Sequence, residues 1–171
     1  MAFSLRRPAR LPAPILNALE LGAGERVLAW GREQLGATVV ATNHHLYAVD
    51  AAGQRQLARP WHEVDAGTWS SELGQLTVTW VDGSTPRQWT LGDATLVPET
   101  VRERVQASVV IAQRVELGPR RNARVVIRQN LATGDLVEQV VLGRGVRPDD
   151  DVMAASTAEA LADLREQVGL D

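Results

Sequence analysis

The sequence predicts an α+β fold that is mainly β: about seven short strands closed by a helix, then a small antiparallel sheet and a C-terminal helix. Three observations carry this. Between residues 26 and 91, apolar and polar side chains alternate with a period near two in seven stretches bounded by Gly, Asn or Asp. From Val97 the period lengthens, with Val97, Val101, Val105 and Val109 four apart. After Gly118-Pro119, two further alternating stretches precede an acidic cap and a last segment of helical spacing.

A short helix comes first. Within Leu11–Gly22, Leu11, Ile15 and Leu19 recur on one face, a proline at 12 or 14 suits the first turn, and Gly22 suits the exit. The strands follow at 26–32, 37–42, 45–50, 54–59, 63–70, 75–81 and 86–91. A meander of this length must curl or fold over to bury its inner face. Asp82-Gly83 is its strongest hairpin signal, with a looser turn over Asp82–Thr85 as the alternative. Pro98 fits the first turn of the helix over Val97–Ser108, and Glu99 lies near the positive end of its dipole. Its valines are poor helix formers, so packing has to hold it. Residues 107–117 either finish this helix or start a strand over 109–117, with a boundary near Ser108.

The strands at 123–129 and 136–142 form a hairpin by proximity, with Val125 and Ile127 on one face and Arg124, Val126 and Arg128 on the other. Asp149–Asp151 cap a helix over about 151–168, whose apolar stripe is Ala154, Thr157, Ala158, Leu161, Leu164 and Val168, and Gly169 ends it. The chain therefore divides into an N-terminal arm with a short helix (1–19), a strand-rich domain (20–108) and an α+β extension (109–171).

Composition removes several classes of function. At 171 residues with 44% hydrophobic and 23% charged side chains, the chain can bury a full core and lacks the signature of disorder. With no cysteine, disulfides, thiol nucleophiles and thiolate-bound zinc are excluded. All eighteen basic side chains are arginine, which removes Schiff-base chemistry and a phosphate-loop lysine. No stretch approaches the ~18 apolar residues of a spanning helix. The start, Met-Ala-Phe-Ser-Leu-Arg-Arg-Pro, has no apolar run after its basic pair, so the chain reads as cytoplasmic. Charge is uneven, with nine Arg against four acidic residues over 102–147 and seven acidic residues against Arg165 over 148–171. That asymmetry suits self-association or weak anion binding.

Residues 20–106 resemble the bacterial PH-like and GRAM-like domains. The resemblance rests on Leu21-Gly-Ala-Gly-Glu25 before the first strand, on Thr42-Asn43 with Leu46 and with His45 where arginine is frequent, on Pro60-Trp-His-Glu-Val64, and on Leu76–Trp80 with Asp82-Gly83. It implies a split barrel of about seven strands closed by the helix from Pro98, and a binding or scaffolding module that needs no cofactor. Residues 109–171 resemble no family. The loop Arg32-Glu-Gln-Leu-Gly36, which corresponds to the lipid-binding loop of some PH domains, sets one Arg beside one Glu and is a poor phosphate cradle.

The candidate sites are few. Trp61 and Trp69 are the tryptophans expected on an exposed contact surface, the other three being assigned to the core. Arg114, Arg120, Arg121, Arg124 and Arg128 form the densest basic cluster, with Arg124 and Arg128 on one strand face. This cluster supplies the alternative reading, a nucleic-acid or anionic-lipid binder, to which Arg6, Arg7 and Arg10 add a peripheral membrane contact. His45 and His62 are weak metal candidates, since no paired-histidine spacing accompanies them, and a hydrolase or metal enzyme built on them ranks third. The first reading is a non-catalytic module for a protein partner or for self-association.

Overall fold

The computed structural model describes residues 10–92 and 95–170. Helix α1 (Ala13–Leu19) begins behind Pro12 and ends at Glu20, whose φ of 51° is left-handed. Strands β1 (Val27–Arg32), β2 (Thr38–Thr42), β3 (His45–Val49) and β4 (Arg55–Pro60) form an antiparallel sheet in sequence order. A 3-10 turn at Trp61–Glu63 leads into a second sheet of β5 (Val64–Ser70), β6 (Gln75–Trp80) and β7 (Arg87–Thr90). Helix α2 (Val97–Ser108) runs directly into β8 (Val109–Glu116). Strands β9 (Asn122–Gln129) and β10 (Leu136–Leu142) complete a third sheet in the order β10-β9-β8, and α3 (Asp151–Val168) follows.

The alternation in the sequence places the cores. Ala29, Val39, Ala41, Leu46 and Ala48 of the first sheet share one core with Val64, Leu76, Val78, Trp80 and Trp89 of the second, and Val97 and Val101 of α2 enter it. The opposite face of the first sheet is also covered. Val40, Tyr47 and Val49 meet Leu19 of α1 there, which is why every residue of β2 is buried despite the alternating pattern. In the third sheet Val115, Ala123, Val125 and Ile127 meet Met153, Ala160 and Leu164 of α3.

The mainly-β α+β class and the order of its elements follow the sequence reading, which the structure refines in three details. Among the described residues the sheets do not close into a barrel, so the strand-rich part is two facing sheets with a helix packed on them. Asp82-Gly83 makes no tight two-residue hairpin. Residues 81–86 form the looser link, in which Asp82 accepts from the Ser84 amide and Trp80 Nε1 donates to the Thr85 carbonyl. The buried face of α3 is Met153, Thr157, Ala160 and Leu164, rotated from the stripe in the sequence, which leaves Ala154 and Ala158 exposed. Arg6 and Arg7 lie outside the described residues, and Arg10 is exposed.

Candidate functional site

The chemistry-bearing residues gather in three places. The first is the start of the strand-rich part. Glu25 directs a buried carboxylate at the turn between β2 and β3, where it accepts from Thr42 Oγ1 at 2.6 Å and Tyr47 Oη at 3.1 Å and lies 2.9 Å from His45 Nδ1. Asn43 closes the same turn by accepting from the Arg26 amide and donating to the Gly24 carbonyl. Burial pushes the Glu25 carboxyl up, but the hydrogen bonds from Thr42, the Gly22 amide and His45 outweigh it, and the group titrates below the usual carboxylate range. Burial beside this carboxylate raises Tyr47. With its carboxylate partners supplied by the fold itself, the cluster is a fastening between the loop before β1 and the β2–β3 turn.

The second place is the junction between the second and third sheets. Arg128 is buried in β9, with 1% of its side chain exposed, and donates to the Val64 carbonyl at 2.8 Å and to Ser108 Oγ at 3.1 Å. Asp65 pairs with Arg124 and stands 3.9 Å from Arg128. Gln139 of β10 donates to the His62 carbonyl at 2.6 Å. His62 is half-buried, and burial, joined by Arg128 and His45 against the opposing pull of Glu63, lowers its pKa from 6.5.

Here the expected basic surface is corrected. Arg121 makes a bidentate pair with Asp150 at 2.7 and 2.8 Å, which together with the Met153 amide brings that carboxyl down to about 2. Arg114 pairs with Glu116 on its own strand, and Arg120 sits exposed at a left-handed turn position with φ 59°. Arg121, Arg124 and Arg128 are thus bound to the chain's own carboxylates and carbonyls, and no continuous positive stripe faces solvent along β9. Trp61 is corrected too. It is fully buried and its Nε1 donates to the Thr42 carbonyl, while Trp69 packs partly buried against the same core. A tryptophan after a proline looks like a turn residue, but the 3-10 turn at 61–63 rotates this one inward. His45 and His62 enter no group of three or more metal-ligating side chains among the described residues.

The third place went unread in the sequence. It is a groove of about 390 Å3 between β10 and α3, lined chiefly by the apolar Val140, Leu142, Met153, Ala154, Ala158 and Leu161, with Arg147, Asp150 and Thr157 also on its wall. Because α3 lies over β8 and β9, it leaves β10 uncovered, and Leu136, Val140 and Leu142 remain more than a third exposed. No family model, curated protein or solved structure matches the chain. The signal that could have found the groove is the strand Leu136-Val-Glu-Gln-Val-Val-Leu142 itself, apolar on both faces although it ends a hairpin at the rim of a sheet.

Proposed function

We propose that the chain is a non-catalytic binding or scaffolding module of PH-like architecture, taking a protein segment in the groove between β10 and α3. The observation that carries this is the groove: an apolar trough beside a strand with no neighbour beyond it among the described residues. Such an edge offers backbone hydrogen bonds, and alternate side chains offer pockets. The PH-like part of the reading draws support from the Glu25 cluster. The residues that carry the resemblance, Gly24-Glu25, Thr42-Asn43 and His45, meet in space, with His45 on the carboxylate.

A nucleic-acid or anionic-lipid surface needs cations free to meet phosphate, and the arginines of β9 are spent within the fold. The test is selection of displayed random peptides on the immobilised full chain, with the Leu142→Glu variant as counter-selection. Enriched peptides should be extended and alternately apolar, and should bind the variant about tenfold or more weakly. No enrichment on a chain immobilised as a monomer, or enrichment that the variant leaves untouched, overturns the groove as the site.

A further inference from the structure

We infer that the occupant of this groove is a second copy of the chain, bound by antiparallel pairing of β10 with β10 across a two-fold axis at Gln139, so that two three-stranded sheets become one of six. The inference rests on the reading of the groove as a protein-binding surface and names its partner.

Sheet edges are the first argument. An exposed strand edge is a template for pairing, and proteins blunt it with bulges, proline, charge or shortness. Every other edge here carries such a device. β1, β5 and β8 each hold a register irregularity, β4 carries Arg55, Arg59 and Pro60, and β7 has four residues. β10 pairs with its neighbour in unbroken register over seven residues, from Leu136 to Leu142, with no proline and with Glu138 as its one charge, whereas β7, also in unbroken register, is only four residues long.

The second argument is which backbone groups β10 leaves open. Antiparallel residues alternate between those that exchange hydrogen bonds with the neighbour and those that point away. The Gly143 amide donates to the Asn122 carbonyl, and the pairing continues through Val141 with Arg124 and Gln139 with Val126. The odd-numbered residues therefore spend their backbone groups on β9. Leu136, Glu138, Val140 and Leu142 present theirs outward, on the residues whose side chains line the helix side of the sheet.

The third argument is self-complementarity. A two-fold strand pair must set outward-pointing residues against outward-pointing residues, which restricts the axis to a residue and not to the gap between two. An axis at Glu138 would place that carboxylate against its own copy, and an axis at Val140 would pair Leu136 with Arg144 and Glu138 with Leu142. At Gln139, Leu136 meets Leu142, Val137 meets Val141 and Glu138 meets Val140, so all seven residues are paired and no like charges are directly opposed, the two Glu138 side chains standing diagonally across the axis. Glu138 keeps its own partner, Arg165 of α3, at 3.3 Å. The exposed leucines of each copy would fall beside the trough left open by Ala154 and Ala158 of the other, the part of the α3 stripe that its own sheet does not cover.

The experiment uses the full chain. Sedimentation velocity from micromolar to submillimolar concentration should show mass rising from 18.6 kDa toward twice that value. Val140→Pro removes only an outward amide, and Leu142→Glu puts a carboxylate into the apolar trough. Each should weaken the dimer by about tenfold or more with an unchanged far-UV circular dichroism spectrum. Because the chain has no cysteine, a Gln139→Cys variant forms a disulfide only between copies. Directly opposed, non-hydrogen-bonded residues have Cα atoms about 4.5 Å apart, within disulfide range, so this variant should cross-link on mild oxidation, whereas Leu73→Cys on the β5–β6 turn should not. A wild type that stays monomeric, a dimer indifferent to both edge variants, or a dimer that the Gln139→Cys variant does not cross-link overturns the inference. A monomer whose groove still selects extended peptides removes the second copy as occupant and leaves the binding function standing.

Discussion

Single side chains in this protein are mostly committed to fastening one segment to another, and His62 gives that commitment a pH dependence. Its pKa is lowered from 6.5 by burial, so between the folded value and 6.5 the unfolded chain binds the proton that the folded chain refuses. Protons bound in the unfolded state exceed those in the native state there, and stability falls as pH drops from 7 toward 5. The expected result is a melting temperature that declines over this interval in the wild type and declines less in His62→Gln, whose side chain does not titrate. Thermal scans across the interval check it, and parallel curves for the two proteins would assign the slope to other groups. Glu25 acts in a separate window. Its lowered carboxyl stabilises the fold above 4.5 and loses that effect as pH falls through its folded value, so it leaves the His62 interval undisturbed.

At the scale of elements, the close seat of α2 against β5 is set by a missing side chain. A Cβ at Gly67 would stand 2.5 Å from Val101 Cγ1, a fully buried atom group on the helix. Gly67→Ala should therefore cost about 1–3 kcal/mol through overpacking, and Val101→Ala in the same chain should recover part of it, giving a non-additive pair in denaturant titrations. Simple additivity would mean that the two positions do not share the contact. Elements of this kind were highly legible in the sequence. Period-two stretches mark β1 to β7, and the four-residue valine spacing marks α2, because local alternation and turn residues are encoded in neighbouring positions. What the sequence obscured depends on partners distant in the chain. The inward turn of Trp61 depends on Thr42 and the first core, the capture of Arg121 on Asp150, and the exposure of Ala154 and Ala158 on the angle at which α3 crosses its sheet. The self-complementary pattern of β10 was present all along in seven consecutive residues, but it acquires meaning only once that strand is known to lie at a rim.

For the molecule as a whole, the junction around Asp65 joins the strand-rich part to the third sheet. Arg128 enters it as a buried guanidinium whose charge is balanced by a carboxylate shared with Arg124. Asp65→Asn should destabilise the chain by about 2 kcal/mol or more, because the buried cation loses its counter-charge, and adding Arg128→Met should return part of the loss by removing the charge as well. Equilibrium unfolding of the three variants checks this, and a double variant no more stable than Asp65→Asn alone would show that Arg128 contributes through its bonds to Val64 and Ser108 and not through charge balance.

Ser108 ends α2 and Val109 begins β8 with no residue between them, and Ser108 Oγ, which also donates to the Val105 carbonyl, receives the buried guanidinium of Arg128. A connection without slack fixes the direction of β8 from the seat of α2, and the β8–β9–β10 ladder extends that direction to the far rim of the third sheet. Joining two rims would thus set the spacing and angle between two strand-rich bodies, so the assembly would act as a ruler whose length is written in one helix-to-strand step.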